Sequence, residues 1–125
     1  MVKTLISMLC VATILFVGSA LEMHFIHGEF EEFHQVISEL HDKVDEQTAV
    51  IDDVYAVQDN WLNKKKFLHA FIPHNEIKEI DLWLSESCTL VENEKWEDAI
   101  SKLDVVIELL EQIPKTFDFR IENIM

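Results

Sequence analysis

From Thr4 to Leu21 the chain carries no charged side chain, with Lys3 in front and Glu22 behind. As a helix this run rises about 27 Å, the low end of what spans the hydrocarbon core of a bilayer. Nothing downstream could cover so uniform an apolar surface, so a buried core helix of a cytosolic protein is disfavoured. Two readings remain, and both export the remainder of the chain. The run is either an uncleaved anchor or a signal cut after Ala20, where Gly18, Ser19 and Ala20 supply small residues. Lys3 on one side and acidic residues on the other predict an N-terminus inside and a C-terminus outside the cytoplasm. Residues 1–25 therefore read as membrane anchor or signal segment, and 26–125 as an extracytoplasmic domain. The expected location is the cell membrane, single-pass, or secretion if the segment is cleaved. The residues before Cys10 (Ile6, Ser7, Met8, Leu9) are not the small ones that precede a lipidated cysteine.

The charge after this segment excludes whole classes of partner. Beyond Leu21 there are nine basic and 24 acidic side chains. Nucleic-acid binding gains most of its affinity from Lys and Arg on phosphates, so no nucleic acid is expected. Yet 49% of the chain is hydrophobic, too much for a disordered acidic tail. With only two Gly and two Pro there is little material for hairpin turns.

The apolar spacing is helical throughout. Phe30, Phe33, Ile37, Leu40 and Val44 step by three and four, predicting a helix from about Gly28 to Asp45. Its opposite face is Glu31, Glu32, Ser38, Glu39 and Asp42. A second helix is predicted from about Ala49 to Ile72, with Ile51, Val54, Trp61, Leu62, Leu68 and Ile72 inward. Lys65 falls on that stripe and would have to snorkel. Pro73 stops it, and His74 or Asn75 caps a third helix reaching about Val91. Asn93 then caps a fourth from Glu94 to Ile113, with Trp96, Ala99, Ile100, Leu103, Val106, Ile107 and Leu110 inward. Pro114 ends that helix, and the tail to Ile124 packs back as a short last turn. The expected fold is all-α: an N-terminal transmembrane or signal helix followed by an antiparallel bundle of about four helices. Cys88 shares helical spacing with Ile77, Ile80, Leu84 and Val91, so it is expected to be buried as a small hydrophobe and not to pair with Cys10.

Several landmarks on this frame resemble a known family. They are Trp61-Leu62-x-Lys64-Lys65-Lys66, then Phe71-Ile72-Pro73-His74-x-Glu76-Ile77, Ile113-Pro114 and the closing Ile121-Glu122-Asn123-Ile124. The pattern resembles domain of unknown function 4363, a clostridial and bacillar family with one N-terminal membrane segment and a short helical domain. Trp61, Pro73, His74, Glu76, Pro114 and Asn123 are the positions that carry the likeness. Phe117, Phe119 and the His-rich first helix depart from the family pattern. The resemblance implies a fold and a location, and no activity.

Candidate chemistry is sparse. His27, His34 and His41 recur every seven residues, about 10 Å of helix, too far apart for two of them to hold one ion. Only His24-x-x-His27, or Glu31 with His27 or His34, has chelating spacing. The plainer expectation is a polar stripe bordering the core and no metal site. Lys64, Lys65 and Lys66 spread around the helix instead of forming one patch. Carboxylates are too many for a catalytic pair to stand out. No Gly-rich phosphate loop, Gly-x-Ser-x-Gly elbow or Cys-x-x-Cys occurs, so neither enzyme nor cofactor is expected. The resulting reading is an interaction or accessory module for another envelope or membrane protein, with a protein partner and membrane contact through residues 4–21. The alternative is a pH- or metal-responsive sensor built on the His-rich helix.

Overall fold

The computed structural model describes residues 1–124. The side chains of Ile121 and Ile124, and Met125, lie outside the described residues, so their share of the closing motif is not placed. Four helices follow one another: α1 (Val2–Asp45), α2 (Ile51–Leu68), α3 (His74–Glu92) and α4 (Trp96–Ile124). Among the described residues there is no strand. Short connections make neighbours antiparallel, and each helix packs on two others in the ring α1–α2–α3–α4. The core runs down the middle, from Ile26, Phe33 and Val44 on α1 to Val54, Ile80, Leu103 and Val106.

The first difference from the sequence reading lies in α1. A helix starting near Gly28 is not what forms: the apolar segment and the first bundle helix are one 44-residue helix. Gly28 is tolerated inside it because propagation costs little once both flanks are helical. The apolar window of α1 has none of its surface buried, while Met23 and Ile26 already touch the core. The helix is long and apolar enough to cross a membrane, as a membrane span or an export signal is.

The turns away from that segment are built alike. Thr48 N–H donates to the Lys43 carbonyl at 2.8 Å and Gln47 N–H to Val44 at 3.0 Å. After α3, Lys95 N–H donates to Leu90 at 2.9 Å and Glu94 N–H to Val91 at 3.0 Å. Both are Schellman closures, which satisfy the orphan carbonyls of a helix end. Asn93 is therefore the C-cap of α3, not the N-cap of a helix beginning at Glu94, and α4 starts at Trp96. At the start of α2 the Asp53 carboxylate accepts the Val50 N–H at 2.9 Å and a Lys43 Nζ hydrogen at 2.8 Å. Hydrogen bonding to Lys43, then to the Val50 amide, holds the Asp53 carboxyl below its ordinary value.

Helix α2 ends at Leu68, four residues short of the expected Ile72, in a turn that leads to Pro73. Pro73 itself is the N-cap of α3, displacing the expected His74 or Asn75, because its extended ψ of 143° turns the chain into the helix. Pro114 does not end α4. It lies inside the helix, and residues 115–124 continue it. Phe117 is buried against the core, and Arg120 donates to Glu76 on α3 at 3.0 Å, so the last turns are held on both sides. That lateral packing offsets the hydrogen bond Pro114 cannot donate.

The inward set on α2 also changes. Val54, Val57, Trp61, Lys64 and Leu68 are buried, whereas Ile51 and Leu62 stand in solvent. At about 100° per residue Ile51 and Leu62 lie well around the helix from Val54, and the chain commits the Trp61 face to the core. Lys64, not Lys65, is the buried lysine. On α4, Ala99, Leu103, Val106 and Leu110 are buried as expected, but Trp96, Ile100 and Ile107 are only partly covered. Cys88 is buried and unpaired.

Candidate functional site

The His-bearing face of α1 lies along α4. His27 Nε2 is 2.8 Å from both Asp118 carboxylate oxygens, His34 Nε2 is 3.1 Å from Glu111 Oε1, and His41 Nε2 is 2.9 Å from Asp104 Oδ1. Each step of seven up α1 is matched by a step of seven down α4. Two antiparallel helices packed near-parallel return to the same relation every two turns, so one pair sets the register of the next. Ser38 adds a hydroxyl 3.4 Å from His34 Nδ1.

These bonds decide what the stripe can bind. His27 and His34 are turned to α4, and Glu31 stays exposed between them. His24 is exposed on the first turn after the apolar segment. The structure therefore does not bring His24, His27, Glu31 and His34 together. Among the described residues no group of three or more His, Cys, Asp or Glu is arranged to hold a metal ion.

The lysine triplet divides among three destinations. Lys64 Nζ lies 3.0 Å from Glu29 and 3.1 Å from Glu32 on α1. Lys65 Nζ donates to Asp81 Oδ2 on α3 at 2.7 Å, and Lys66 is exposed. Trp61 Nε1 donates to the other oxygen of Asp81 at 2.5 Å, while its ring centroid is 5.1 Å from that of Phe33. Trp61 thus ties α1, α2 and α3 at one level. His74 stacks on His69 with centroids 5.7 Å apart, and Glu76 holds Arg120. The landmarks Trp61, Pro73, His74 and Glu76 sit at joints of the bundle, Pro114 is buried within α4, and Asn123 is exposed near its end.

One surface was not anticipated. The burial of the Trp61 face turns Ile51, Tyr55 and Leu62 outward within about 40° of one another, a second apolar stripe on α2. Tyr55 is 52% and Leu62 53% exposed. Periodicity did contain the signal: Ile51, Tyr55 and Leu62 repeat at four and seven residues, as the buried set does. The carboxylate ladder was legible too, since Asp104, Glu111 and Asp118 share the seven-residue step of the histidines.

The class so defined is an antiparallel four-helix bundle whose first helix extends into a long apolar segment. Residues 23–124 match the model of a domain of unknown function, DUF4363, and the chain belongs to that family. The match opens at Met23, the first side chain to touch the core. No curated protein matches the chain. No solved structure does either.

Proposed function

We propose that the protein is a non-enzymatic interaction module, anchored in the membrane by residues 4–21 with its bundle outside the cytoplasm. In this reading it contacts another envelope or membrane protein as an accessory subunit. The observation that carries it is the outward apolar stripe of α2. Folding does not require Ile51, Tyr55 and Leu62 on the surface, and the bundle already has a complete core on another face of the same helix, about 120° away. Tyr is well suited to such a contact, being large, stiff and able to donate one hydrogen bond.

A photocrosslinking residue at Tyr55 or Leu62, introduced into the full chain in native membranes, should give one discrete adduct. The same residue at Lys78 or Glu79, on the exposed side of α3, should not. Equal labelling from both helices, or none from α2, would remove the stripe as the contact. Topology is tested separately. A reporter that works only outside the cytoplasm should be active when fused after Met125, and one active only inside overturns the sidedness.

The His–carboxylate ladder favours a second reading, a pH-responsive bundle. A proton on each ring would turn three hydrogen bonds into ion pairs along the α1–α4 seam. Replacing His27, His34 and His41 with Gln, which keeps a polar side chain facing each carboxylate, should flatten the dependence of thermal stability on pH. An unchanged profile eliminates this reading.

A further inference from the structure

The end of the bundle nearest the apolar segment differs from the rest of its surface. Phe25 lies four residues, about 6 Å of helix, beyond Leu21. The Phe71 ring, in the α2–α3 turn, has its centroid 6.0 Å from that of Phe25. Phe119 follows Asp118, which is bonded to His27, so Phe119 stands level with Ile26. Phe67 lies three residues beyond Lys64, whose partners are Glu29 and Glu32, and so reaches nearly the same height. Four phenylalanines drawn from α1, α2, the turn and α4 thus share one level. Phe67 is 61% and Phe119 63% exposed, and Phe25 is 40% exposed.

We propose that Phe25, Phe67, Phe71 and Phe119 form an aromatic collar that seats the base of the bundle in the interfacial layer of the membrane that α1 enters. The occupant of this surface is lipid. Because α1 runs unbroken from Val2 to Asp45, the bundle cannot swing away on a linker, and its base stays within a few ångströms of the bilayer surface. Phenylalanine rings at that depth bury their apolar area between head groups and acyl chains, as amphipathic surface helices do. The charge distribution agrees with this orientation. Asp45, Glu46 and Asp52 crowd the α1–α2 turn and Glu92, Glu94 and Glu97 the α3–α4 turn, both at the far end. An anionic leaflet repels that pole, and the chain holds it more than a Debye length away. Docked in this way, the bundle has a fixed tilt, and the α2 stripe is presented sideways, parallel to the membrane plane.

The inference rests on the anchored reading, and the test separates the two. The full chain with Cys10→Ser is reconstituted into vesicles of phosphatidylcholine and phosphatidylglycerol. Single nitroxide labels are placed through Phe67→Cys, Phe119→Cys, Leu62→Cys, Tyr55→Cys or Phe16→Cys, and variants with the parental helical spectrum are compared. Cys88 is buried and can stay. Labels at positions 67 and 119 should collide more with oxygen than with a water-soluble nickel chelate. At 62 and 55, which are just as exposed but higher on the bundle, the order should reverse. If positions 67 and 119 behave like 62 and 55 while position 16 still reports lipid, the anchor stands and the collar is overturned. A label at position 16 that reports water overturns both.

Discussion

Gln47 and Glu94 hold φ of 58° and 57°, the left-handed region where glycine is favoured, while both glycines of the chain lie inside α1. A side chain in that conformation costs about 1 kcal/mol, and glycine within a helix costs about 0.5–1 kcal/mol relative to alanine. Glu94→Gly should therefore stabilise the bundle by about 1 kcal/mol in chemical denaturation. Gly28→Ala should add about 0.5–1 kcal/mol, since a Cβ there meets nothing within 4 Å. Destabilisation by Glu94→Gly would show that the left-handed closure is not a strained point. Cys88 supports a second expectation. Burial pushes its thiol up to about 11 from an ordinary 9.0, with Glu92 adding to the effect and a hydrogen bond with Gln58 opposing it. Above pH 9.0 the unfolded chain gives up the thiol proton while the folded chain keeps it. Stability is thus complete below that point and falls as pH rises towards 11, by at most about 3 kcal/mol. The Cys88→Ala variant should lose less stability than the parent across that alkaline window. In the native chain Cys88 should resist alkylation until unfolding. The buried position of Cys88 was legible from its spacing alone. The left-handed residues were not, because the sequence signal for such a closure is a glycine and neither turn has one.

Helix α4 shows where local rules yield to packing. Pro114 predicts a stop, and in an isolated peptide it would be one. Here the ten residues beyond it gain Phe117 in the core, Asp118 on His27 and Arg120 on Glu76. Pro114→Ala should restore a donor to the Leu110 carbonyl and stabilise the helix by about 1–3 kcal/mol, less whatever contact the buried ring makes. A variant that melts lower than the parent would mean that the ring's packing outweighs its missing hydrogen bond. Helix α2 teaches the complementary lesson. Its sequence holds two apolar stripes, and single-helix periodicity cannot say which one turns inward. Asp81, presented by α3 to both Trp61 and Lys65, and Phe33, tilted against Trp61 from α1, meet the face that is buried. Those partners lie at least 16 residues away in the chain, beyond the reach of a local pattern.

Charge belongs to the whole molecule. Nine basic side chains face 24 acidic ones after Leu21, and the ion pairs of Lys43, Lys64, Lys65, Lys102 and Arg120 engage only part of the excess. Exposed pairs contribute up to about 1 kcal/mol each, so net repulsion should dominate the salt response. In non-ionic detergent the full chain should melt higher as sodium chloride rises from about 10 mM to 0.1 M, where the screening length shortens from about 30 to 10 Å. A falling midpoint would show that local pairs outweigh the repulsion. Sequence alone determined the helical class, the apolar segment, the core faces of α1 and α4, the buried Cys88 and the family, because each rests on the identity and spacing of residues along one helix. The tertiary structure decided the fusion of the apolar segment with the first bundle helix and the passage of α4 through Pro114. It also decided which face of α2 is buried, and that the two seven-residue series the sequence carries, His27, His34, His41 and Asp118, Glu111, Asp104, face each other across α1 and α4. Each of these depends on energies between helices, lateral contacts that exceed the local preference of a glycine, a proline or an apolar stripe, and such contacts exist only once the chain has closed on itself.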